Sequence, residues 1–145
     1  MPQSDDTRAR LTRRHAIALI AAAAATPRLA VAGEPIQRAI PASGEKLPAL
    51  GLGTWQVLDV PPDGTEFDAA LAAMRSFLAA GGRVIDSSPM YGRAEERIGD
   101  ILARLKPSAK PFLATKIWTT GKAAGERQLA DSHRLMRSKV LDLVQ

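Results

Sequence analysis

The chain contains no cysteine. That excludes a disulfide framework and any cysteine-ligated metal or cluster. Histidine is almost as scarce, with only His15 and His133, so a histidine-built metal centre has little to stand on and no metal is expected. Aromatic residues are few: two Trp, one Tyr and three Phe. No G-x-G-x-x-G follows the first strand-like segment, which argues against a dinucleotide-binding open sheet. A concentrated basic surface is missing too, although the net charge is +5. Residues 1–32 hold five Arg against two Asp, and the remainder holds 15 Lys and Arg against 13 Asp and Glu. Without a basic run or aromatic–basic interleaving, no nucleic-acid partner is expected.

There is one extended hydrophobic run, residues 16–25. Ten helical residues reach about 15 Å, half of a bilayer core of about 30 Å, so no stable membrane span is expected. Arg13 and Arg14 precede the run and Ala30-Val31-Ala32 follows it. This is the layout of a secretory signal, with cleavage before Gly33. Thr12-Arg13-Arg14 resembles a twin-arginine signal, read by machinery that exports folded proteins. Residues 1–32 are therefore read as a signal peptide of an exported or periplasmic protein, and 33–145 as one domain. The plainer alternative is an Ala-rich tail on a cytoplasmic protein.

Residues 36–42 and those from 47 onward read as a hairpin around the 43–46 turn. Residues 47–55 form the first strand of the main domain, with Pro48 suited to its start and Trp55 at its end. Gly51 and Gly53, two apart, would let something approach the backbone closely. A helix is expected over 66–80, with Thr65 as N-cap and Asp68 in a weak capping box. Phe67, Leu71, Met74 and Leu78 make its apolar stripe, and Gly81-Gly82 stops it. A strand over 83–86 follows, then a helix over 94–105 with Glu95 and Glu96 in its first turn and Arg104 and Lys106 at its end, as the helix dipole favours. Its buried face is Ala94, Ile98, Ile101 and Leu105, and Pro107 ends it. A strand over 112–117, a helix over 125–137 and a strand over 140–145 complete the order β-α-β-α-β-α-β. Such alternation implies an α/β fold with a parallel sheet, because parallel neighbours need crossovers.

The chemistry-bearing side chains share one placement, at or just past the C-terminal end of a strand. Trp55 follows the first strand, Asp86 and Tyr91 the second, Lys116 and Trp118 the third. In a closed (β/α)8 barrel this rim is where active sites form. Taken singly, Asp86 is a helix-start signal and Tyr91 a packing aromatic; Lys116 at the next strand end changes that weighting. A phenol releases its proton reluctantly at neutral pH. A neighbouring ammonium stabilises the phenolate, and a carboxylate holds the ammonium in place. Asp86, Lys116 and Tyr91 fit these parts. Carbonyl reduction needs such a proton together with a hydride, which no side chain supplies, so a nicotinamide cofactor is implied. A different barrel enzyme, with Lys116 forming a Schiff base, is the competing chemistry, and the presence of Tyr91 tells against it.

The segments G-L-G-T-W (51–55), V-I-D-S-S-P-M-Y-G (84–92), L-A-T-K-I-W (113–118) and L-D-L-V-Q (141–145) together resemble the aldo-keto reductase family. The resemblance implies the N-terminal part of a (β/α)8 TIM barrel, about four βα steps preceded by a β-hairpin that plugs the barrel bottom. It implies Tyr91 as general acid, Lys116 as the ammonium beside it and Asp86 as the carboxylate paired with that lysine. Gly53, Thr54, Trp55 and Asp86 would line the nicotinamide side, and Trp55, Tyr91 and Trp118 the substrate side. The cofactor would be NADPH, or NADH in some members, and the substrate a small aldehyde or ketone. The family pattern D-L-x-x-x-H places a catalytic histidine two residues past Gln145, and later strands hold the adenosine and phosphate end of the cofactor. The expectation is thus a domain truncated in its fourth strand, without turnover as these 145 residues alone. A non-catalytic fragment or a binding or regulatory protein of the same fold is the alternative.

Overall fold

The computed structural model describes residues 33–145. The expected signal peptide, with its twin-arginine pair, and His15 lie outside the described residues. The described part opens with a hairpin of β1 (Gln37–Ala39) and β2 (Lys46–Pro48), paired antiparallel with Arg38 opposite Leu47. Gly44 turns it with a φ of +73°, a conformation that costs glycine little. Four strands then form one parallel sheet: β3 (Leu52–Gly53), β4 (Val84–Asp86), β5 (Phe112–Thr115) and β6 (Leu143–Val144), in sequence order. Between them run α1 (Gly64–Ala79), α2 (Ala94–Leu105) and α3 (Lys122–Leu135). This is the α/β alternation expected, built as a partial barrel.

The core explains why these segments fold so. Phe67, Ala70 and Met74 from α1 and Ala94, Ile98 and Ile101 from α2 bury against Ile85 and Leu113 of the sheet, with Leu58 and Met136 closing the cluster. Burying a large side chain of this kind stabilises by about 1.5–3 kcal/mol each. The expected stripes on both helices are thus the packed faces, with Leu71, Leu78 and Leu105 at their partly buried margins. All four residues of β5 are buried, as befits a strand covered on both sides.

Boundaries differ from expectation at several places. The expected strand over 47–55 is divided: its start pairs with β1, whereas Leu52 and Gly53 pair with β4 opposite Ile85 and Asp86. Helix α1 begins with Asp63, in extended conformation, at the N-cap, and makes no side-chain cap. Thr65 and Asp68 are therefore ordinary members of its first turns. Gly64, at φ +83°, swings the chain into the helix two residues early. Helix α3 starts at Lys122 because Gly121, at φ +87°, makes the same kind of turn. Strand β6 is shorter than the expected 140–145, since only its last residues reach β5.

The ends were more legible. Gly81 sits at φ +84° after α1, its N–H donating to Leu78 O (3.0 Å) and that of Gly82 to Phe77 O (2.9 Å). This pair of bonds is the Schellman closure. Arg83 ties the hairpin to the N-terminal end of the sheet, pairing with Glu45 Oε1 at 2.9 Å and donating to the Lys110 carbonyl at 3.1 Å. The opposite, C-terminal end is left to the loops.

Candidate functional site

Register delivers the site. Gly53 lies opposite Asp86, Asp86 opposite Ala114, and Ala114 opposite Leu143. The residues that follow these positions therefore emerge at one rim. Pairing extends slightly past the strands, with Thr54 N donating to Asp86 O (3.1 Å), Ser87 N to Ala114 O (2.9 Å) and Gln145 N to Thr115 O (3.0 Å).

At this rim Lys116 Nζ donates to both oxygens of Asp86, at 2.9 Å each, and to the Ser87 carbonyl at 3.0 Å. The ammonium is thereby held between the Asp86 carboxylate and the Ser87 carbonyl. The Tyr91 ring lies within the ammonium's reach, its centroid 5.4 Å from Nζ. The phenol thus sits in the field of the cation while its hydroxyl makes no hydrogen bond among the described residues. Trp55 is a further neighbour of Tyr91, with ring centroids 6.5 Å apart and planes at 41°. Both tryptophans are surface residues, 64% and 61% exposed for Trp55 and Trp118. Gln128 of α3 brackets the Trp118 peptide, its Oε1 accepting from Trp118 N at 2.6 Å.

Two other expected site residues behave differently. A Cβ added at Gly53 would meet nothing within 4 Å, so open space lies over the backbone there. At Gly51 it would press on Val84 at 3.1 Å, and this glycine serves strand packing. Thr54 is fully buried, and its hydroxyl donates to Asp86 O (2.9 Å) and pairs with the Ser87 hydroxyl at 3.0 Å. Its side chain braces the strand ends instead of facing the rim. His133 lies on α3, with Nδ1 2.8 Å from the Ser138 carbonyl.

Sequence reasoning missed a buried carboxyl group. Glu95, read only as a first-turn acid suited to the helix dipole, is 3% exposed. Its Oε1 accepts from the Thr115 hydroxyl at 2.5 Å and its Oε2 from the Ser132 hydroxyl at 3.1 Å. It thereby joins α2 to α3 and to the strand residue next to Lys116. The available signal was spacing: Glu95 stands three residues before Ile98, on the margin of the buried stripe. Gln145 was also unflagged, and its Nε2 stands 3.5 Å from Asp86 Oδ1.

Asp59, in the loop after β3, is held to the Tyr91 loop. Its Oδ1 accepts from Arg93 N and from Arg93 Nε, both at 3.1 Å. The backbone bond first, and then the guanidinium, keep its carboxyl below the usual carboxylate range. A separate apolar cavity of about 390 Å³ lies between the hairpin and α1, lined by Ile36, Pro48, Leu50 and Phe77, away from this rim.

Comparison with known proteins gives a consistent answer. The model of the Aldo/keto reductase family matches residues 49–145. An aldose reductase from Encephalitozoon cuniculi is 33% identical over 107 residues, which are 70% of this chain and 33% of that protein. An aldo/keto reductase from Klebsiella pneumoniae, solved in complex with NADP and acetate, superposes with a TM-score of 0.59 at 31% identity over 70% of this chain and 35% of its own. Another from the same organism, in complex with NADPH, gives 0.61 at 29% over 75% and 38%. The chain spans about a third or less of the length of the curated relatives it matches.

Proposed function

Because the chain belongs to the aldo/keto reductase family, we propose that it supplies the proton-delivery half of an NADPH-dependent oxidoreductase that reduces small aldehydes or ketones to alcohols. The observation that carries this reading is the Asp86–Lys116 pair with the Tyr91 ring 5.4 Å from the ammonium. Asp86 fixes the ammonium, and the ammonium favours negative charge on the nearby phenol oxygen as its proton leaves. The Tyr91 hydroxyl, free of protein partners among the described residues, is available to donate to a carbonyl oxygen that becomes an alkoxide. Lys116 acts through its field, held in place by the Asp86 carboxylate and the Ser87 carbonyl.

NADPH, the cofactor of one related structure, would supply the hydride when bound. The open space over Gly53 and the carboxylate of Asp86 beside it suit the approach of a flat ring to the strand ends. Trp55 and Trp118 would wall the substrate side, where their exposed rings offer apolar surface to a small carbonyl compound. Residues 1–32 are read as a twin-arginine signal, which places the protein outside the cytoplasm with its fold already formed.

The test is oxidation of NADPH with a panel of aldehydes and ketones, by the protein carrying these residues together with the remaining strands of the barrel. Tyr91→Phe should lower turnover by about 10²–10⁴-fold, the usual contribution of a general acid, with NADPH binding little changed. Retained turnover in that variant removes Tyr91 from its role.

A further inference from the structure

Tyr91 and Trp55 both stand on loops, and something must hold those loops in register. Trp55 belongs to a tight turn, in which Val57 N donates to Trp55 O (2.7 Å) and Leu58 N to Thr54 O (3.2 Å). Leu58, 3% exposed, anchors that turn in the core. Asp59 follows at once, so Trp55 and Asp59 move as one unit. On the other side, Tyr91 N donates to Ser88 O and Ala94 N to Tyr91 O, both at 3.0 Å. These bonds fold the Tyr91 loop onto the start of α2 but do not tie it to its neighbour.

Asp59 makes that tie. One oxygen takes both Arg93 donors, and the other lies over Gly92 so closely that a Cβ there would stand 2.3 Å from Oδ2. Gly92 has φ +58°, so both conformation and space call for glycine beside this carboxylate. The seat is built for a carboxylate at a peptide next to Tyr91.

We infer that Asp59 is a positioning residue: by clasping the Gly92–Arg93 peptide it sets the distance between the Tyr91 and Trp55 rings, and so where the phenol meets a substrate. The inference rests on the reading of Tyr91 as proton donor. A plainer role is available, since a carboxylate at the start of α2 stabilises that helix whatever Tyr91 does. The two roles part in what they move. Helix stabilisation predicts a loss of stability with unaltered ring geometry; the clasp predicts altered ring geometry.

Tyr91 is the one tyrosine of the chain, so its ring protons form a single set in a proton NMR spectrum of the full 145-residue protein. Their displacement by the Trp55 ring current is defined by comparison with Trp55→Leu, which has no aromatic ring. Asp59→Ala and, independently, Asp59→Ser should each lose about half or more of that displacement, because ring-current shifts fall steeply beyond contact separations of about 4.5–7 Å. Asp59→Asn keeps an oxygen for the Arg93 backbone N–H and should restore most of it. The Asp59 side chain is 43% exposed, so truncation opens no cavity and the variants should remain folded. Wild-type displacement in folded Asp59→Ala or Asp59→Ser, with or without lowered stability, overturns the inference. The measurement reports where the ring sits and not what its hydroxyl does. A failure here therefore leaves the turnover test of Tyr91 standing, and the reverse holds as well.

Discussion

Replacing Glu95 by Ala should be among the most damaging single changes in the described domain. Its carboxyl group is the shared acceptor of two hydroxyls, Thr115 and Ser132, that are 0% and 1% exposed. Neither donor can turn to water when the acceptor is removed. Each stranded buried donor costs about 1–3 kcal/mol, so the pair together should cost about 4 kcal/mol. A domain of this size loses about 4 °C in Tm per kcal/mol, which corresponds to about 15 °C. Glu95→Gln should cost only about 1 kcal/mol: its amide oxygen keeps one hydroxyl, and its N–H can donate to the oxygen of the other. Urea and thermal unfolding followed by far-ultraviolet circular dichroism would measure both. If Glu95→Ala unfolds within about 0.5 kcal/mol of wild type, the size of an ordinary surface change, the bridge from α2 to α3 and β5 contributes nothing. If Glu95→Gln is as damaging as Glu95→Ala, hydrogen bonding is the wrong account of this site.

Other consequences can be checked more quickly. Gly99→Ala would drive a Cβ to 2.2 Å from the Leu135 carbonyl, a backbone atom with little room to retreat. It should destabilise by about 1–3 kcal/mol or more, read from the same unfolding curves. Asp59 is held below its ordinary titration range by Arg93, chiefly through the backbone bond. Since its folded value is the lower one, its contribution is complete above the unfolded carboxylate range and disappears as pH falls through the folded value. Stability of the wild type relative to Asp59→Asn should therefore be constant near neutrality and shrink only in acid; a constant difference at every pH refutes the ion pair. For the N-terminal segment, exchanging Arg13 and Arg14 for Lys should keep the precursor inside the cell, and wild-type protein recovered from outside should begin at Gly33 by mass spectrometry.

The main outline was legible because its signals are periodic. The stripes Phe67–Met74 and Ala94–Ile101 place two helices on a core. A parallel register then carries Asp86 and Lys116 to one rim, since each directly ends or follows a buried strand. Even the Asp86–Lys116 contact follows from adjacent strand ends carrying opposite charge. What stayed hidden depends on contacts between distant segments. Glu95 looked like a dipole-matching first-turn acid because nothing local announces that Thr115 and Ser132 converge on it. The Asp59–Arg93 clasp spans 34 residues of chain, beyond any window of periodicity. Thr54 was placed correctly at a strand end, but a hydroxyl there can face inward or outward, and only packing against Ser87 decides. Helix starts moved because Gly64 and Gly121 adopt positive φ, a conformation glycine permits without announcing.

The seating of Lys116 on Asp86 carries a chemical consequence of its own. Imine formation requires a neutral amine whose nitrogen lone pair can attack a carbonyl carbon. As an ammonium donating to the Asp86 carboxylate and the Ser87 carbonyl, Lys116 has no lone pair to offer. The lysine at the centre of this rim therefore has the character of a fixed positive pole and not of a nucleophile.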